Sequence, residues 1–223
     1  MRAFAEFLLE HLPPPPARVL EVGCGDEGGV TPALAEAGYD VLGIDEHAPE
    51  GGRFRGITLE QLEEPASFDA VVAERVFHHV HPLGEALDKV ARLAPLFVLD
   101  EFAWDRIDES TRDWYERQHR VLSSAGSTPS GPPDLAEWRA RWVGLHPSDA
   151  ILRELDARFE RRYYEDRPYL YRWLGGPATE TLERGLVDAG AIRPIGFRWI
   201  GVPQPFETGS TSSKREPDGA AGE

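Results

Sequence analysis

The stretch that most constrains this chain is Glu21 to Gly29, EVGCGDEGG. It follows the apolar run Ala17-Arg18-Val19-Leu20 and leads into residues 30–37, where Leu34 and neighbouring alanines suit a helix that Gly38 ends. A strand, a glycine-rich turn and a helix in immediate succession make a unit in which the amides opening the helix face whatever lies beyond the strand's end.

The alternation continues. Residues 39–44, YDVLGI, read as a second strand closed by Asp45, residues 53–57 as a short third and 68–73, FDAVVA, as a fourth. The spacing predicts a helix over 83–93, with Leu83, Leu87, Val90 and Ala94 on one face, and a fifth strand over 96–99 that ends at Asp100-Glu101. Phe4, Phe7, Leu8 and Leu12 predict a short amphipathic helix at the start, stopped by Pro13 to Pro16. Short strands rich in Val, Ile and Leu between helices are the pattern of a sheet covered on both faces. The expected fold is α/β: Rossmann-like and doubly wound, with a mostly parallel sheet.

Beyond residue 103 the rhythm changes, and all six tryptophans lie there. Helices are expected over 108–122, from Asp134 through the stripe Leu135, Trp138, Trp142 and Leu145, and over 148–159. Residues 104–158 therefore read as a helical lid inserted after the fifth strand and lying over one end of the sheet. A strand over 159–164, a helix over 179–189 and a strand over 192–202, interrupted by Pro194 and Gly196, complete residues 1–206 as one domain. Where the last two strands join the sheet stays open. Residues 207–223 lack large apolar side chains and are expected to be a disordered tail.

Thirty-nine acidic against 24 basic residues give a net charge of -15, an average field that repels a phosphate backbone, so nucleic acid is not an expected partner. No run reaches the ~18 apolar residues of a membrane span. With Cys24 as the only cysteine there is no internal disulfide, and a cytoplasmic protein is the simplest expectation.

Gly23, Gly25 and Gly28 fit the spacing of a dinucleotide-binding turn. Glu21, Asp26 and Glu27, however, would confront a pyrophosphate with three carboxylates. A cationic ligand suits the turn better, and Asp45 at the end of the second strand is placed to accept from both hydroxyls of a ribose. S-adenosylmethionine has adenosine, a sulfonium and an ammonium, and no phosphate. A nicotinamide oxidoreductase is the less favoured alternative.

Val19-Leu20-Glu21-Val22-Gly23-Cys24-Gly25 resembles the first motif of class I S-adenosylmethionine-dependent methyltransferases. Val41 to Asp45 resembles that family's second strand and ribose acid, Phe68 to Glu74 its fourth-strand motif, and Val76-Phe77-His78-His79-Val80 the segment that follows. The resemblance covers about residues 17–101. It implies S-adenosylmethionine as cofactor, with Gly23, Cys24 and Gly25 under its methionine moiety and Glu21 near its ammonium. It places Asp45 on the ribose, Glu46 beside the adenine and Glu74 along the methionine side. Cys24 itself reads as a small packing residue. Two departures stand out: Glu27 replaces a usual glycine, and Ile57 stands where an acid often meets the adenine amine.

The expected activity is methyl transfer to a small-molecule acceptor, with oligomeric state left open. The alternative is a non-catalytic binding or regulatory protein of the same fold, motivated by Glu27 and Ile57. His79 matches a histidine common in the family, and His79 or His119 is the candidate to accept a proton from a hydroxyl acceptor. His78, His79 and His81 do not have the spacing of a metal site, because adjacent histidines point apart. Tyr163, Tyr164, Glu101 and His119 are candidate acceptor contacts, and the tryptophans and tyrosines of residues 104–173 read mostly as core, some of them lining an acceptor pocket.

Overall fold

The computed structural model describes residues 2–63, 67–134, 137 and 141–205. Leu135, Trp138 and residues 207–223, for which a helix start and a tail are expected, lie outside the described residues. The chain runs α1 (Arg2–His11), β1 (Arg18–Val22), α2 (Thr31–Glu36), β2 (Asp40–Ile44), β3 (Phe54–Arg55), β4 (Ala70–Glu74), α3 (Leu83–Leu93) and β5 (Phe97–Phe102). After a 3-10 turn (Trp104–Arg106) come α4 (Glu109–Ser124), α5 (Ser148–Asp156), β6 (Phe159–Arg167), a second 3-10 turn (Leu170–Arg172), α6 (Pro177–Asp188) and β7 (Gly196–Pro203). No helix of the described residues is long and apolar enough to cross a membrane.

The seven strands form one sheet in the order β3-β2-β1-β4-β5-β7-β6. β1 to β5 pair in parallel, and β7 enters antiparallel between β5 and β6. The period of two along each strand divides the core. Val71, Ala73, Phe97 and Leu99 face a cluster that includes Leu87 and Val90 of α3 and Ile151 and Leu155 of α5. Ala70, Val72 and Val98 face the opposite cluster, with Phe4 and Leu8 of α1 and Leu34 of α2.

The helix over residues 148–159 is shorter than its pattern predicts and sits elsewhere. It ends at Asp156, and its Ile151 and Leu155 cover the sheet face beside α3 rather than lying over the sheet's end. That end is covered by a third cluster: Phe102, Tyr115, Tyr169, Leu170, Leu174 and Ile195, with Trp114, Trp142 and Trp173 packed against it.

β5 is longer than expected and carries Asp100 and Glu101 fully into the sheet. Asp100 lies opposite Arg198 of β7, whose Nε donates to its Oδ2 at 2.8 Å, so the acid is paired where it is buried. Arg172 reaches the same place, with Nη1 2.9 Å from Glu74 Oε1 and Nη2 3.8 Å from Asp100 Oδ1. This buried ion cluster ties the end of β4 to the second 3-10 turn.

Candidate functional site

At the carboxyl ends of β1, β2 and β4, where the strand order reverses, two cavities adjoin across Gly23 and His79. The smaller, about 240 Å3, is lined by Asp45, Glu46, Ile57, Leu59 and Val76 among others. The larger, about 500 Å3, runs from the glycine turn to the aromatic cluster over the end of β5.

The glycine turn is built around Glu21. Its buried carboxylate takes the Val30 N–H at 2.9 and 3.0 Å and the Thr31 N–H and hydroxyl at 2.7 Å each. The acid thus satisfies amides at the start of α2, a helix with no other side-chain cap. Burial pushes the Glu21 carboxyl up to about 7, even though these hydrogen bonds favour its ionised form.

To reach the helix start, the Glu21 side chain passes beneath Gly29, which has a φ of +54°. Glu27 is exposed at the cavity mouth, and the turn continues through Gly28 and Gly29 before the helix begins at Thr31. Gly23, with a φ of +80°, leaves room for Val76: a Cβ there would stand 2.6 Å from Val76 Cβ. The open floor between the cavities depends on that glycine.

Asp45 follows the last residue of β2 and accepts the His47 N–H on Oδ1 at 2.8 Å. Glu46, exposed, lines the same cavity. Glu74 is buried at the end of β4 and lines the larger cavity while paired with Arg172. Cys24 is buried in the turn; burial, with Glu21 and Asp45 nearby, pushes its thiol up to about 12, which fits a packing role.

The histidines part ways. His79 lines both cavities, and partial burial together with the neighbouring His78 holds it below the ordinary histidine value. His81 bonds the Gly144 carbonyl. His119 lines neither cavity; its Nε2 lies 3.1 Å from the Gly131 carbonyl and its ring sits beside Tyr115.

Tyr163 and Tyr164 also lie away from the cavities, because β6 is the outer strand: Tyr163 packs on Phe7 and His11 of α1, and Tyr164 bonds Asp166 and Arg106. Glu101 is fully buried beneath the larger cavity, against His78.

The wall of the larger cavity opposite the turn is His78, Phe102, Trp142, Tyr169 and Trp173; sequence reasoning expected some tryptophans and tyrosines of residues 104–173 at the acceptor pocket without saying which, and did not expect His78 or Phe102 there. Their signal is weak, since aromatic residues at helical or strand spacing read as core. Nor did it find Glu183 of α6, which is fully buried and accepts the amides of Tyr169, Leu170 and Tyr171 at 2.6 to 2.9 Å. Glu183 and Arg172 together hold the turn that carries this wall.

A family model described as a methyltransferase domain matches residues 1–129. The ubiquinone biosynthesis O-methyltransferase of Methylococcus capsulatus is 34% identical over 105 residues, which cover 40% of this chain and 44% of that protein. The match thus spans less than half the length of that curated relative.

Among solved structures, an S-adenosylmethionine-dependent methyltransferase from Mesorhizobium loti aligns with a TM-score of 0.52 at 17% identity, over 88% of this chain and 96% of its own. The Burkholderia thailandensis 1,6-didemethyltoxoflavin-N1-methyltransferase, with 1,6-didemethyltoxoflavin and S-adenosylhomocysteine bound, aligns at 0.54 and 18% identity over 91% and 77%. At these identities the likeness is one of fold.

Proposed function

This chain belongs to the methyltransferase domain family, and from that premise we propose that it transfers the methyl group of S-adenosylmethionine to a small-molecule acceptor. The observation that carries the reading is the pair of cavities joined at Gly23 and His79, one ended by Asp45 and the other floored by the glycine turn.

The residues fit the cofactor. Asp45 would accept from the ribose hydroxyls, and Glu46 would lie beside the adenine in the smaller cavity, whose other walls include Ile57, Leu59 and Val76. Gly23, Cys24 and Gly25 would lie under the methionine moiety. The exposed acids Asp26 and Glu27 give this end of the larger cavity a negative lining, with Glu21 held by the start of α2 and Glu74 paired with Arg172, and that lining favours an ammonium and a sulfonium and disfavours a phosphate. When bound, S-adenosylmethionine supplies an electrophilic methyl group on sulfur.

The chain's own contribution is to fix two partners in line and keep water out. The turn and Asp45 orient one side, and Phe102, Trp142, Tyr169 and Trp173 enclose the other. The net charge of -15 supports a small molecule rather than a nucleic acid as acceptor. The single cysteine, buried and unable to form an internal disulfide, suits a reducing, cytoplasmic setting.

Calorimetric titration of the purified chain with S-adenosylmethionine and S-adenosylhomocysteine tests the reading. Saturable one-to-one binding of both is expected. Absence of binding at millimolar ligand overturns methyl transfer in favour of the non-catalytic alternative.

A further inference from the structure

Two histidines line the larger cavity, and they are held in different ways. His79 is exposed, and its ring makes no hydrogen bond among the described residues. His78 is 6% exposed, and its Nδ1 lies 2.6 Å from Glu101 Oε1.

Glu101, 0% exposed, also takes the Phe77 N–H on Oε2 at 2.8 Å and the Phe102 N–H on Oε1 at 2.7 Å. With a carboxylate serving as acceptor on both oxygens, Nδ1 is the donor of the His78 pair, which leaves Nε2 with a lone pair. Nε2 has no partner among the described residues, and His78 is one of the residues that line the cavity. The ring is also fixed from outside: the His78 carbonyl accepts the His146 N–H at 2.9 Å, and Phe102 meets the imidazole edge-on. A buried acid that sets the tautomer of a histidine facing a cavity is the arrangement of a general base.

The wall beside it is aromatic. Phe102 and Tyr169 stack at 4.5 Å, Trp173 meets them edge-on at 5.1 and 4.9 Å, and Trp142 closes on Phe102 at 5.1 Å. Such a box gains most from a flat ring, through offset-stacked and edge contacts that an aliphatic chain cannot make.

We propose that the acceptor is a planar aromatic molecule bearing an ionisable hydroxyl or ring N–H, and that His78, oriented by Glu101, is the catalytic residue that takes its proton on Nε2. The proposal rests on the methyl-transfer reading above. As the acceptor's lone pair forms the new bond to the methyl carbon, the sulfur keeps the electron pair of the bond that breaks and the acceptor's proton passes to Nε2. The imidazolium is offset by Glu101 and returns its proton to water after product leaves. The other charged or titratable groups around this cavity are His79, Arg75, Glu74, Tyr169 and Arg141, with the acids of the glycine turn on its far side.

The test uses 4-nitrophenol with the full chain and no cofactor, at a pH where the free phenol is neutral. Tryptophan quenching reads binding, and visible absorbance reads ionisation of the bound phenol. Saturable quenching with a phenolate band is expected for the native chain. His78→Gln is expected to bind within about threefold of native affinity, under 1 kcal/mol, yet leave the phenol neutral. His119→Gln, at a histidine that lines neither cavity, is expected to keep the band.

A native chain that binds no phenol or leaves it neutral, a band that survives His78→Gln, or a band lost with His119→Gln overturns the proposal. Because His78→Gln removes the hydrogen-bond partner of a buried acid, the native chain gives a second measurement: nitrogen-15 NMR of His78 is expected to show Nδ1 protonated and Nε2 bare, and the reverse tautomer overturns the assignment. Calorimetry with S-adenosylmethionine on the same samples keeps the two readings apart, since a chain that ionises the phenol but binds no cofactor retains the ring site and loses methyl transfer.

Discussion

A Cβ on Gly29 would stand 2.0 Å from Glu21 Oε1, so the glycine that shapes this turn is the one beneath which the buried acid passes to reach the start of α2. Glu21 cannot swing aside without releasing the amides of Val30 and Thr31. Gly29→Ala is therefore expected to destabilise the fold by roughly 1–3 kcal/mol, through the left-handed φ of +54° and the displaced carboxylate. Urea unfolding measures the loss; a change under about 0.5 kcal/mol would sink this account of the turn.

Glu21 also makes stability depend on pH. Its folded value, about 7, lies above the ordinary glutamate value, so the unfolded chain holds fewer protons than the folded one between them. The stabilisation is fully present below about pH 4.5 and is lost as pH rises through 7. Asp100 and Glu183, raised by burial, act in the same direction, while His79, lowered, opposes it on the acid side. Unfolding free energy is expected to fall by roughly 1–3 kcal/mol between pH 5.5 and 8. Glu21→Gln should flatten that slope, and a slope unchanged in the variant would refute the assignment.

Asp45→Ala should weaken S-adenosylmethionine binding by about 10- to 100-fold, the worth of one or two hydrogen bonds to a charged group. His119→Ala, remote from both cavities, should leave the dissociation constant unchanged. Calorimetry on the two variants decides the matter, and equal affinities would remove Asp45 from the site.

Arg172 pairs with Glu74 at 2.9 Å and reaches Asp100 at 3.8 Å, while Arg198 keeps Asp100 paired from the other side. Arg172→Met should cost roughly 3–5 kcal/mol because Glu74 remains buried without its main partner. Adding Glu74→Gln should restore part of that loss. A double variant no more stable than the single one would show that the ion pair is not what holds the turn bearing Tyr169 and Trp173.

The parallel half of the sheet was legible because each element carries a local signal. β1 with its glycine turn, β2 ending at Asp45, β4 ending at Glu74 and the amphipathic α3 are all specified by residues adjacent in sequence, and the structure has them within a few residues of their expected limits. The signal fades where an element's length depends on a distant partner. β5 continues through Asp100 and Glu101 because Arg198 and His78 meet those acids, and residues 98 and 23 positions away do not show in a local pattern.

For the site the same division holds. That a strand, a glycine turn and an acid-tipped second strand meet at one sheet end follows from local residues alone, since those groups ride on consecutive strand–helix units. Packing across the fold set the rest: Glu21 is committed to the start of α2, α5 covers a face of the sheet, His119 sits outside the cavities and His78 lines one. The settings of Glu21 and His78 depend on which buried polar group finds its hydrogen-bond partner across the fold, and the place of α5 on which face Ile151 and Leu155 can bury; burial makes both obligatory without writing them into any one stretch of chain.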